Sequence, residues 1–208
     1  MDYPTMIRFN TRKIALASAL TAATIVLAYA RGLGMASLPG VVEFMTVAIF
    51  VTGFCFGWAM GLVVGSVAVT LYMMIPSPFA HPAAWIFTIS PILLFVMAML
   101  GALFGVVGGI LGKLRNPNKK GAKFVFEMAL WGGILTFIYD VFSSVGFYLA
   151  YPVYSSVFEA IFLTFIPLYY PYPPIIHTVT NTIVFALVAT PLIMAIQSLP
   201  FTKTITSS

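Results

Sequence analysis

Charged side chains are nearly missing from this sequence: Asp, Glu, Lys and Arg make up 7% of its 208 residues, and only five are acidic. A soluble domain carries about 25% charged residues, so a water-solvated globule is excluded. Cysteine is almost absent too. The single Cys55 excludes an internal disulfide framework. With only His81 and His177 and no Cys/His cluster, a transition-metal site is poorly supported, and no bound metal is expected. GxSxG, HExxH, P-loop and paired-carboxylate motifs are all lacking. Catalysis is therefore not expected, and without a nucleotide-binding motif the chain cannot power active transport by itself.

What is present is long apolar sequence, 61% hydrophobic overall. Backbone crossing a bilayer must satisfy its own hydrogen bonds, and runs of this length predict an all-α, multi-pass protein of the plasma membrane in contact with lipid. The net charge of +5 and the pI near 9.4 would suggest nucleic acid in a soluble chain. Here the basic residues lie between apolar runs, so they report orientation and no nucleic-acid partner is expected.

The stretch Lys113–Lys123, reading KLRNPNKKGAK, holds five of the ten basic residues. Short basic loops stay cytoplasmic, so this one fixes a face from which crossings are counted. The N-terminal basic residues Arg8, Arg12 and Lys13 precede an apolar run ending in Ala28-Tyr29-Ala30, which imitates a cleavable signal. That run is long enough to span, and a retained first helix is expected. The run Val41–Ile75 contains one charge, Glu43. As a single helix it would be ~52 Å long, against a hydrocarbon core of ~30 Å. Two helices also place the N-terminal and central basic clusters on the same face, whereas one would oppose them. A tight turn is expected near Gly53–Gly57.

The sequence therefore predicts one domain, 1–208, forming a six transmembrane helix bundle with both termini cytoplasmic. The approximate spans are 14–30, 41–56, 58–75, 84–112, 124–150 and 175–196. Nine of the ten basic residues then lie inside, and only Arg31 lies outside. Tyr151 to Pro174, rich in Tyr and Pro, is expected outside. It has room for a short helix lying at the interface or folded over the outer mouth.

Small residues recur every four positions: Gly53, Gly57, Gly61 and Gly65; Gly101, Gly105 and Gly109; and Ala15, Ala19 and Ala23. Such spacing makes one smooth helix face on which another backbone can close. The glycine sets predict tight packing within the bundle. The alanine set suits either internal packing or docking of another membrane subunit.

Ionisable groups inside a bilayer are costly and face the bundle interior or a water-filled cavity. Asp140 lies deep in the fifth span, and Thr136, Asp140 and Ser144 form an i, i+4, i+8 stripe. His177 and Asn181 form a matching pair near the outer end of the sixth. Glu43 opens the second span from that same side. Tyr72, Trp85, Tyr139, Phe147 and Tyr148 are expected at similar depth, some in the interfacial aromatic belt. A mostly apolar, aromatic cavity with a few fixed polar groups suits a small molecule. The candidate substrate-binding residues are Asp140, His177, Asn181, Glu43, Ser144, Tyr139 and Trp85.

Taken together, the chain resembles the substrate-binding S components of energy-coupling factor (ECF) transporters. Lys13-Ile-Ala-Leu-Ala-Ser-Ala-Leu-Thr-Ala23 is similar to that family's first helix. Glu43 through Gly65 resembles its glycine-spaced second and third helices. His177-Thr-Val-Thr-Asn181, followed by Pro191, resembles the start of its last helix. The resemblance implies a small six-helix protein that captures a vitamin or similar micronutrient outside the cell. It also implies a transmembrane coupling subunit that docks on Ala15, Ala19 and Ala23, and two cytoplasmic ATPases that hydrolyse ATP. No cofactor is expected on this chain. The N-terminus, Met-Asp-Tyr-Pro, lacks the histidine of nickel or cobalt members, and the aromatic content favours a flat ring compound such as a flavin, pterin, deazapurine or other vitamin-like molecule, with the substrate itself left open. Two other readings compete. A stand-alone channel or facilitator needs a continuous polar path through inner halves that read as apolar. An intramembrane enzyme using Asp140 and His177 lacks a recognisable nucleophile or metal site.

Overall fold

A computed structural model describes residues 11–34, 43–74, 90–115, 121–151, 153–165 and 174–199. Every regular element among them is a helix. In chain order these are α1 (Thr11–Gly34), α2 (Phe44–Phe56), α3 (Trp58–Met74), α4 (Pro91–Leu114), α5 (Ala122–Ala150), α6 (Val157–Phe165) and α7 (Pro174–Ser198). Four of them, α1, α4, α5 and α7, are long and apolar enough to cross a membrane.

The apolar run at 41–75 is broken once, at Gly57. Its φ of 94° and ψ of 161° belong to a region open essentially to glycine alone. The neighbours of the glycines fix the direction of each helix. A Cβ on Gly108 or Gly112 would collide with Phe50 or Phe54, so α2 runs parallel to α4. On Gly101 or Gly105 it would collide with Gly65 or Gly61, so α3 runs antiparallel to α4. Gly57 is therefore a full reversal, and α2 and α3 form a hairpin clasped by α4. Gly105 sits at its centre, with Gly53 on one side and Gly61 on the other. Backbones in direct contact gain dispersion along the whole seam, which is how membrane helices associate when lipid removes the hydrophobic drive.

The start of the fourth helix differs from the 84–112 expectation. Ser90 is extended, its hydroxyl accepts from the Leu93 amide at 3.4 Å, and Pro91 occupies the first turn. A serine N-cap followed by proline is a strong helix start, so the helix begins at Pro91; residues 84–89 lie outside the described residues.

α5 and α7 run antiparallel, with the Phe185 ring over Gly132 and the Thr182 hydroxyl against Gly133. Phe185 is fully buried and meets Phe50 edge-on at 5.3 Å and Phe104 at 6.3 Å, while Phe104 meets Tyr139 at 6.2 Å. This aromatic layer joins the α5–α7 pair to the α2–α4 hairpin clasp. Each well-placed ring pair adds about 0.5–1.5 kcal/mol beyond its buried area.

α6 does not lie across the end of the bundle. Its last residue, Phe165, stacks edge-on against Phe137 at 5.9 Å. Phe137 precedes the end of α5 by thirteen residues, or ~20 Å of helix, so α6 turns back along the flank of α5.

Candidate functional site

The bundle has two unlike ends. At one lie the N-terminus of α1, the Gly57 reversal, the end of α4 and the start of α5, with Arg12, Lys13, Lys113, Arg115 and Lys123. Arg115 pairs with Glu127 there. At the other end lie the starts of α2 and α7 and the C-terminal part of α5, and there most of the buried polar side chains gather.

Asp140 sits on α5 ten residues before its end. One turn earlier is Thr136, 1% exposed. His177 and Asn181 occupy successive turns at the start of α7, 7% and 0% exposed. Because α5 and α7 run antiparallel, Asp140 meets His177 and Thr136 meets Asn181. His177 Nδ1 lies 2.9 and 3.1 Å from the two carboxylate oxygens of Asp140. Asn181 Nδ2 donates to Thr136 Oγ1 at 3.2 Å and lies 3.0 Å from His177 Nε2. From the N-cap of α2, the Glu43 amide donates to Asn181 Oδ1 at 3.1 Å.

That last bond fixes the direction of the Asn181 amide. A backbone N–H can only donate, so the Asn181 oxygen must face Glu43 and its NH2 must face His177. The imidazole Nε2 then accepts, which leaves its proton on Nδ1, donated to Asp140. His177 is thus oriented by the Asp140 carboxyl group on one side and the Asn181 amide on the other. The Glu43 carboxylate lies 3.9 Å from the same Nε2. Two carboxylates therefore flank one imidazole in a site with low exposure to solvent. Such a site favours a ligand that is positively charged or rich in hydrogen-bond donors.

Of the seven predicted binding residues, four converge here: Asp140, His177, Asn181 and Glu43. Ser144 is on the same buried stripe, but its hydroxyl donates to the Asp140 carbonyl of its own helix at 2.9 Å. Tyr139 stacks edge-on against Phe104 on α4. Trp85 lies outside the described residues, as does His81. Thr136, on the predicted stripe but absent from the candidate set, belongs to the network; its i+4 spacing to Asp140 was the signal. Beside Glu43, a cavity of about 10 Å³ is lined by Ala28, Phe44, Met45 and Tyr72, and Tyr72 stacks at 5.2 Å on Tyr29.

Beneath the polar cluster lies the aromatic layer, since Phe185 is one turn beyond Asn181. The two fully buried rings Phe50 and Phe104 close against it. Further along, α7 carries a π-helical segment, Phe185–Ala189, followed by Pro191. Single π turns cluster at functional sites, and no periodicity in this apolar stretch marks one in advance.

The alanine ladder faces outward. Ala15, Ala19 and Ala23 are all exposed, while Ala17, Thr21, Thr24 and Ala28 turn toward the bundle. Among the described residues no three His, Cys, Asp or Glu side chains are grouped to hold a metal ion. No family model matches this chain, and no curated protein or solved structure matches it.

Proposed function

We propose that this chain is the membrane-embedded capture subunit of an ECF-type importer. It binds a vitamin-like small molecule at the outer end and delivers it together with a coupling subunit and two ATPases. Counting the α2–α3 hairpin as two crossings gives six spans with both termini cytoplasmic.

The observation that carries this reading is the meeting of Asp140, His177, Asn181 and Glu43. They come from three separate helices and form one buried cluster at the end opposite the basic loop. Buried ionisable groups at membrane depth need a reason, and a ligand supplies one. The exposed Ala15–Ala19–Ala23 face supports a docking role for α1. The two acids beside His177 support a substrate with a cationic or donor-rich edge, and the aromatic content supports a flat one. A stand-alone channel is less well supported, because the Phe50–Phe104–Phe185 layer interrupts any polar path along the bundle.

Mass spectrometry of small molecules that co-purify with the protein tests the reading. A single stoichiometric compound is expected with the natural protein and is lost from Asp140→Ala, which still folds. Ala19→Trp is expected to retain the compound but lose cellular uptake. Recovery of no compound, together with uptake that is independent of ATPases, would overturn the proposal.

A further inference from the structure

The surface between α1 and α3 is not closed. Ala17 packs on Met60 and Val64, but beside this contact the helices part into an apolar groove of about 480 Å³. Ile14, Ser18 and Ile25 line it on α1, and Val63, Val67 and Leu71 on α3. The α3 residues recur every four positions and make one straight wall. Val67 and Leu71 are about two-fifths exposed.

Two features bear on the occupant. Ile14 and Ile25 are eleven residues apart, ~16 Å at ~1.5 Å per residue, which matches one leaflet of a hydrocarbon core ~30 Å thick. At the Ile14 end, Arg12 and Lys13 lie within the same helical turn. Neither α3 nor α1 carries an acidic residue, so the charge these two helices bring to that mouth is basic.

We propose that this groove holds one hydrocarbon chain of an anionic phospholipid, with its phosphate against Arg12 and Lys13. The lipid belongs to the leaflet at the basic end of the bundle. Cytoplasmic leaflets carry the anionic headgroups that basic residues attract, so site and leaflet agree. The site adjoins the exposed alanine face, and a bound lipid would form one rim of any surface presented there.

Native mass spectrometry of the detergent-purified full chain, titrated with phosphatidylglycerol or phosphatidylcholine of identical chains, tests this. One phosphatidylglycerol per protein is expected, held about tenfold more tightly than phosphatidylcholine, a difference set by charge. Arg12→Gln with Lys13→Gln should reduce the two lipids to equal affinity. Ser18→Leu and, separately, Val67→Phe should fill the groove and remove the bound lipid, while a thermal melt confirms folding. Equal retention of the two lipids by the natural protein would overturn the proposal, as would unchanged retention by both filled variants. A cysteine at Ser18 protected by a co-expressed membrane partner, but not by phosphatidylglycerol, would assign the groove to a partner helix and equally overturn it.

Discussion

Asn181 holds the polar cluster together, because its amide is bonded on every side. It accepts from the Glu43 amide and donates to Thr136 and to His177. Replacing it with alanine leaves those buried groups without partners, which costs about 1–3 kcal/mol. Asn181→Ala should therefore lower the thermal midpoint in detergent by several degrees, and a melt unchanged from the natural protein would contradict the network. Asp140, His177 and Glu43 stood out in the sequence because lipid makes ionisable groups expensive. Which of their neighbours would join them did not. Tyr139 is adjacent to Asp140, yet one residue is about 100° of helix, enough to turn its ring toward Phe104 instead. Outside the spans, Glu159 caps α6: its carboxylate accepts from the Ser155 hydroxyl and, at 2.6 Å, from the Ser155 amide, while Ser156 returns a bond to the Glu159 amide. The Ser155 hydrogen bonds hold the carboxyl below its ordinary range. A depressed folded pKa gives stabilisation that is complete above the unfolded value of about 4.3 and is lost as pH falls through the folded one. Hydrogen exchange of the Ser156–Ala160 amides should thus accelerate only in acid below that range, and Glu159→Gln should abolish the transition.

Among the helices, the glycine-lined clasp of α2, α3 and α4 depends on what cannot be added to it. A valine at Gly105 would place its side chain in the Gly61 backbone, beyond the about 1–3 kcal/mol of ordinary overpacking, so little folded Gly105→Val is expected. Gly57→Ala meets nothing in space but is strained by its φ of 94°, and should cost about 1–3 kcal/mol. Gly121→Ala, open and without such a φ, should be neutral. If thermal melts ranked all three alike, the packing would be wrong. The break near Gly53–Gly57 was legible because thirty-five apolar residues are too long for one crossing and glycines mark where the chain can turn. The start at Ser90–Pro91 could have been read from the same capping rules. The course of α6 could not, since a nine-residue apolar helix suits an interface, a lid or a flank equally until Phe165 is seen against Phe137.

Taken as a whole, the molecule is polarised: basic side chains at one end, a buried acid–histidine–amide cluster toward the other, and three packed rings between. Charge parity along the chain made the two ends readable, because each basic cluster had to fall on the same side of an even number of crossings. The depth of the cluster depended on pairing α5 with α7, which sequence spacing suggests but does not fix. The account requires the cluster end to open outward. In a Cys55→Ser background, where the one buried thiol is gone, cysteines placed at the exposed Val153 and Lys123 mark the two ends. A membrane-impermeant maleimide applied to intact cells should label the cysteine at 153 and leave the one at 123 untouched until the membrane is opened. Labelling of 123 with protection of 153 would put the basic end outside and contradict capture from the cell exterior.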